Sequence, residues 1–137
     1  FMVGPDSEKD GAVRRMSKLF TRGSKITSPL IAIFMRKGYG LGAQAMVGGS
    51  LHDPIFTAAW PDGEFGAMGL EGAVKLGFKK ELESETNNDK REQMFKDLVN
   101  TLYEKGKAIE AAAHLEIDAV IDPTDTRQTI LKAIKII

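Results

Sequence analysis

An unbroken apolar run that gives way at once to clustered glycines limits this chain more than any other feature. Residues 30–35 read LIAIFM, set between Pro29 and Arg36-Lys37. The run is too short for a free-standing helix, and its length suits a strand covered on both faces within a mainly parallel sheet. Gly38, Gly40, Gly42, Gly48 and Gly49 follow. Glycine directly after a buried strand lets the backbone turn tightly and lets N–H groups approach a ligand. Residues 42–47 look like the start of a helix. Amides at a helix start, backed by the positive end of its dipole, suit a negatively charged oxygen. The segment reads as an oxyanion site or a phosphate site.

Around this segment the chain has an irregular start at residues 1–5. One helix is then predicted over residues 7–22, with Val13, Met16, Leu19 and Phe20 on one face and Gly23 as its end cap. Residues 55–60 predict a second strand, stopped by Pro61-Asp62-Gly63. Residues 66–69 make a second glycine turn, 70–78 a helix, and 79–91 an exposed charged connection. Met94, Phe95, Leu98, Val99, Leu102 and Tyr103 mark an amphipathic helix that Gly106 interrupts. A short helix over residues 108–114 leads to an extended segment at 117–121. Asp122-Pro123 is a helix-start signal, cap followed by Pro, with Asp125 adding negative charge. The last helix directs Ile130, Leu131, Ile134 and Ile137 inward or towards a partner.

At 137 residues, the chain is one domain or part of one. Lys+Arg and Asp+Glu balance at 19 each, so charge gives no reason to expect nucleic acid or an acidic membrane. The absence of cysteine excludes disulfides, thiolate metal sites and a thiol nucleophile. No apolar run approaches the roughly 18 residues of a membrane span, and a cytoplasmic location is the expectation. A start at Phe1 without Met suggests a piece of something longer.

Side-chain chemistry has few candidates. Gly40-Leu41-Gly42-Ala43-Gln44-Ala45 satisfies the G-x-G-x-x-A form of a dinucleotide fingerprint. Against a dinucleotide-binding domain stand the Arg36–Tyr39 spacer after the strand, the early helix stop at Gly48-Gly49, and the placement of Asp62 in a turn. No P-loop occurs, and no G-x-S-x-G surrounds Ser28, Ser50 or Ser84. His52 and His114 lie in no metal-ligand pattern, so no metal is expected. Trp60 and Tyr39 read as core or pocket wall.

Read together, RKGYGLGAQAM and AAWPDGEFGAMGLEGAV resemble the carboxyltransferase (beta) subunits of biotin-dependent acyl-CoA carboxylases of the acetyl-/propionyl-CoA type. The likeness runs upstream through FMVGPDSEKDGAVRRMSKLF and downstream through residues 111–118 to Asp122-Pro123-Thr124-Asp125-Thr126-Arg127. It implies an α/β, crotonase-like ββα superhelix, with residues 1–137 as a C-terminal carboxyltransferase domain truncated at its N-terminus. It implies transfer of a carboxyl group from carboxybiotin, on a separate carrier protein, to the α carbon of an acyl-CoA. Partners would be a biotin carboxylase/biotin carboxyl carrier subunit and further copies of the subunit, a hexamer in the family. By position, the N–H groups of Leu41 and Gly42 would form an oxyanion hole, with Leu41's side chain turned away. Gly40, Ala43, Gly66, Met68 and Gly69 would bind the cofactor, and Gln44 would set substrate selectivity. For the second-turn glycines, tight packing is an equal reading, and Asp122 and Arg127 read as cap and ion pair. Two other readings remain: the alpha subunit of a biotin-dependent acyl-CoA decarboxylase, and a non-catalytic assembly and docking fragment. The isolated piece is expected to be inactive and, with its apolar tail, to self-associate.

Overall fold

The computed structural model describes residues 4–136. Helices α1 (Pro5–Lys9) and α2 (Ala12–Gly23) divide what the apolar spacing predicts as one helix, and the break falls at Asp10-Gly11. Gly23 ends α2 without acting as a left-handed cap, since Ser24 after it is right-handed helical. A Cβ at Gly23 would stand 2.6 Å from the Gly48 carbonyl oxygen, so close backbone approach is what the position requires. Most of the irregular start, residues 1–3, and Ile137 lie outside the described residues.

Strand β1 (Ile31–Phe34) leads to β2 (Lys37–Tyr39) and then to α3 (Gly40–Met46). The pattern repeats as β3 (Phe56–Ala59), β4 (Glu64–Gly66) and α4 (Leu70–Gly77). β1 pairs with β3 in parallel, Ile31 opposite Phe56, and β2 pairs with β4 in parallel, Lys37 opposite Glu64. Two successive ββα units therefore stack strand on strand, the α/β crotonase-like architecture expected from the sequence, present here as part of a domain. α5 (Lys79–Ser84), α6 (Asn88–Lys105) and α7 (Ala108–Ala113) follow, then β5 (Ala119–Val120), a 3₁₀ turn at Pro123–Asp125 and α8 (Thr126–Ile134). β5 joins β3, giving a sheet ordered β1-β3-β5.

The central position of β3 decides burial. Thr57, Ala58 and Ala59 are buried, whereas in β1, at the sheet edge, only Ala32 is, and Met35 beyond it is 58% exposed. The expectation of a strand covered on both faces thus fits β3 better than β1. Thr57 N–H donates to Asp118 Oδ2 at 2.7 Å while Asp118 N–H donates to the Thr57 carbonyl at 2.8 Å, which fastens β5 to β3. Ala59, Ala108 and Ile117 form a small-residue core against Phe34, Phe65 and Val120.

Other expectations are corrected. Residues 79–91 hold α5 and the first turn of α6, the latter capped by Asn87, whose side chain accepts from the Lys90 N–H at 3.0 Å. The Arg36–Tyr39 spacer contains β2, which runs straight into Gly40. A dinucleotide unit is still disfavoured, because α3 has only 7 residues and is no full crossover helix. Asp122 does cap, accepting from the Thr124 N–H at 2.8 Å. Arg127 has no ion pair among the described residues. α8 buries Ala133, while Leu131, Ile134 and the following Ile136 face outward. No helix among the described residues is long and apolar enough to cross a membrane.

Candidate functional site

The two glycine segments meet at a cavity of about 350 Å³. One wall is the β2–α3 junction, contributing Gly38, Gly40, Ala43 and Gln44. The floor is β4 and its exit, with Phe65, Gly66 and Ala67. The opposite wall comes from the end of α6 and from α7, with Lys105, Gly106, Glu110, Ala111, His114 and Glu116.

Each wall has a local cause. Gly40 has φ +54°, a left-handed value that residues with a Cβ avoid, and a Cβ there would run into the Ala67 carbonyl oxygen. Only glycine lets the first segment lie on the second. The Phe65 N–H donates to the Gly106 carbonyl at 2.6 Å and the Ala108 N–H to the Gly63 carbonyl at 2.7 Å, so the α6–α7 junction is laid along β4. α7 then closes with a paired C-terminal motif. The Leu115 N–H donates to the Ala112 carbonyl (3.0 Å) and the Glu116 N–H to the Ala111 carbonyl (2.9 Å). Leu115 takes the left-handed position of that motif, φ 59°, where glycine is the usual occupant. His114 Nδ1 lies 2.9 Å from the Glu110 carbonyl, so Nδ1 carries the proton and donates, because a carbonyl can only accept.

Of the site residues expected from sequence, Gly40, Ala43, Gln44 and Gly66 come together on this cavity. Gln44 is exposed and its side chain makes no hydrogen bond among the described residues. Leu41 and Gly42 do not line the cavity. Positions 40, 43 and 44 share one face of α3, and Leu41, 63% exposed, points elsewhere. The N–H groups of Gly40, Leu41 and Gly42 nonetheless lie in the first helical turn, where no carbonyl within the helix can accept them and Tyr39 supplies no side-chain cap. Met68 and Gly69 lie off the cavity and lead into α4, where the Ala73 N–H donates to the Gly69 carbonyl at 2.9 Å. An added Cβ at Gly69 would meet nothing within 4 Å, so close packing does not require a glycine there.

The polar wall of Lys105, Glu110, His114 and Glu116 escaped the sequence reading. No motif links it to the glycines, and the only signal was the helical spacing of Glu110 and His114 on α7. Among the described residues no cluster of His, Asp or Glu is placed to hold a metal ion. The cavity thus offers a small-residue wall, nearby amide donors without intrahelical acceptors, and a facing wall with one cation, two carboxylates and an imidazole.

The family described as carboxyl transferase domain matches residues 1–137. The methylmalonyl-CoA carboxyltransferase 12S subunit of Propionibacterium freudenreichii subsp. shermanii is 34% identical, over 98% of this chain and 25% of the relative. The methylmalonyl-CoA decarboxylase subunit alpha of Propionigenium modestum is 31% identical, over 97% of this chain and 25% of its own length. Among solved structures, a single-chain, multi-domain long-chain acyl-CoA carboxylase superposes with a TM-score of 0.82 at 50% identity, covering 97% of this chain and 13% of that one. The transcarboxylase 12S hexamer, with methylmalonyl-coenzyme A and methylmalonic acid bound, gives 0.81 at 31% identity, covering 99% and 26%. The chain spans about a quarter of the length of the curated relatives it matches.

Proposed function

The chain belongs to the carboxyl transferase family, and from that premise we propose that it is the C-terminal portion of the carboxyltransferase component of a biotin-dependent acyl-CoA carboxylase. Its reaction moves a carboxyl group from biotin on a separate carrier protein to the α carbon of an acyl-CoA. The observation that carries this reading is the meeting of both glycine segments, the parts most like the family, at one cavity.

The residues present suit biotin. A wall of Gly40, Ala43 and Gly66 leaves room for a flat uncharged ring, and a urea oxygen is an acceptor that free amides can meet. Biotin, when bound, supplies the transferable carboxyl group. The chain's own contribution would be fixed dipoles: the Leu41 and Gly42 N–H groups, beside the cavity lining rather than on it, would hold an oxygen on which negative charge develops, without reorganising as it does so. Gln44, a helical turn beyond Gly40, reaches the acyl group and sets selectivity. The 50% identity to the long-chain carboxylase makes a long-chain acyl-CoA the first substrate to test, with propionyl-CoA beside it.

Gly42→Pro in the full-length subunit is the direct test. Proline is tolerated in a first helical turn, yet it deletes one donor. Loss of such a donor should cost on the order of 2–4 kcal/mol in the barrier. Carboxyl transfer at the unaltered rate would refute the oxyanion assignment.

The identity to a decarboxylase subunit favours one second reading, the alpha subunit of a biotin-dependent decarboxylase. Co-purification with a membrane subunit, in place of a biotin carboxylase, would decide for it. In either reading the site needs chain beyond these residues and further copies of the subunit, so the isolated piece should show no turnover. The outward Leu131, Ile134 and Ile136 support self-association, to be measured by light scattering.

A further inference from the structure

Helix α2 carries an uncompensated row of cations in a chain whose Lys+Arg and Asp+Glu balance at 19 each. Its inward side is Met16, Phe20 and Gly23, all partly buried. With about 3.6 residues per turn, Arg14, Arg15, Lys18 and Arg22 fall together on the opposite side, and all four are exposed. Arg14, Lys18 and Arg22 follow at intervals of four, so at about 1.5 Å per residue the row is about 12 Å long. Among the described residues none of the four side chains makes an ion pair or a hydrogen bond, although Asp6, Glu8 and Asp10 come just before them in the chain. α2 packs against α3 and the turn after it, where Phe20 Cδ1 lies 4.0 Å from the place of a Cβ at Gly49. α3 in turn gives Gly40, Ala43 and Gln44 to the cavity, so the row lies one helix behind the glycine wall.

Arg14–Lys18 and Lys18–Arg22 are like-charge neighbours one turn apart, an arrangement that weakens a helix by itself. An opposing row of carboxylates would relieve it. A phosphate group is held by cations that converge on one point, and these are strung along a line. A nucleic acid or an anionic bilayer calls for a wide positive field, which a net charge of zero does not supply. The fit is to carboxylates set along a protein surface. We propose that the outer face of α2 is an electrostatic docking surface for the biotin carrier, which meets it with an acidic face and is thereby steered to the neighbouring cavity. Attraction between exposed charges reaches about 10 Å at ordinary salt, so it acts before contact and chiefly on encounter.

This docking role rests on the carboxyltransferase reading, and the experiment separates the two. The full-length subunit is assayed for transfer from a carboxylated acyl-CoA to the biotinylated carrier, and in parallel to biotin methyl ester, which has no protein face. In a variant combining Arg14→Gln, Arg15→Gln, Lys18→Gln and Arg22→Gln, KM for the carrier should rise roughly tenfold at low salt, the joint effect of several exposed charge pairs. KM for biotin methyl ester and for acyl-CoA should stay as in the parent. Added salt should raise the parent's carrier KM towards that of the variant, which should itself vary little. Arg14→Lys, Arg15→Lys and Arg22→Lys together keep the charge and should behave like the parent. An unchanged carrier KM, an equal rise with biotin methyl ester, or a rise for acyl-CoA alone, the mark of coenzyme A phosphates on the row, would each overturn the proposal. So would a changed oligomer mass in the glutamine variant, which would make the row a contact between subunits. If the unaltered protein transfers to neither acceptor, the functional reading falls and calorimetric titration of the carrier onto the subunit decides docking alone. Salt-sensitive binding that the glutamine variant loses would support it, and no binding would overturn it.

Discussion

Replacing Leu115 by glycine should make the protein more stable. A side chain with a Cβ in the left-handed conformation costs roughly 1–2 kcal/mol, and Leu115 has φ 59°. Glycine removes that strain but gains freedom in the unfolded chain, which returns about 0.4–1 kcal/mol. Little packing is lost, because Leu115 is 78% exposed. The net gain is about 0.5–1 kcal/mol, or a rise in Tm of a few degrees for a chain of this size. Urea unfolding followed by the fluorescence of Trp60, the single tryptophan, reads it directly. Leu115→Ala is the control, since it keeps the Cβ and with it the strain, and its stability should stay near that of the parent. A glycine variant no more stable than the alanine one would refute the reasoning. His114 and Glu116, on either side, both line the cavity, so the strain sits within the polar wall, where functional sites commonly store it.

Two further outcomes follow from side chains in the closing segment. The Trp60 Nε1–H donates to Thr126 Oγ1 at 2.9 Å, and that hydroxyl donates to the Pro123 carbonyl at 2.8 Å. Thr126→Val should therefore cost about 1–2 kcal/mol by leaving a part-buried donor unpaired, and an unchanged urea midpoint would count against the link. Asp122 is held below its usual 3.8 by the hydrogen bonds from the Thr124 side chain and backbone N–H. A depressed carboxylate stabilises the folded form above its unfolded pKa and loses that effect as pH falls through the lower folded value. Acid unfolding of Asp122→Asn should accordingly show a weaker dependence on pH below 3.8 than the parent, and identical curves would dismiss the cap.

Legibility followed burial and period. β1 and α6 stood out because one lies in a continuously apolar run and the other repeats its apolar residues at helical spacing. β2 and β4 did not, since Lys-Gly-Tyr and Glu-Phe-Gly carry no alternation long enough to see and are strands only because they pair with each other. α5, Lys-Lys-Glu-Leu-Glu-Ser, has too few apolar residues to mark a face. Gly23 looked like a cap because its real constraint, contact with Gly48, is tertiary. In the site the same division holds. Gly40 announces a close approach by being glycine, whereas Lys105, Glu110, His114 and Glu116 are ordinary helix-surface residues until α7 is laid beside β4.

The stacking of β1-β2-α3 on β3-β4-α4 makes the cavity a step in a spiral staircase. The separation of its two glycine segments is the rise from one tread to the next, and contacts in such a coil are mainly between adjacent turns. A bulkier guest would then fit if the pitch loosened at one step, with every wall residue the same. Relatives of this chain could diverge in the size of what they hold through changes in the helices behind the treads.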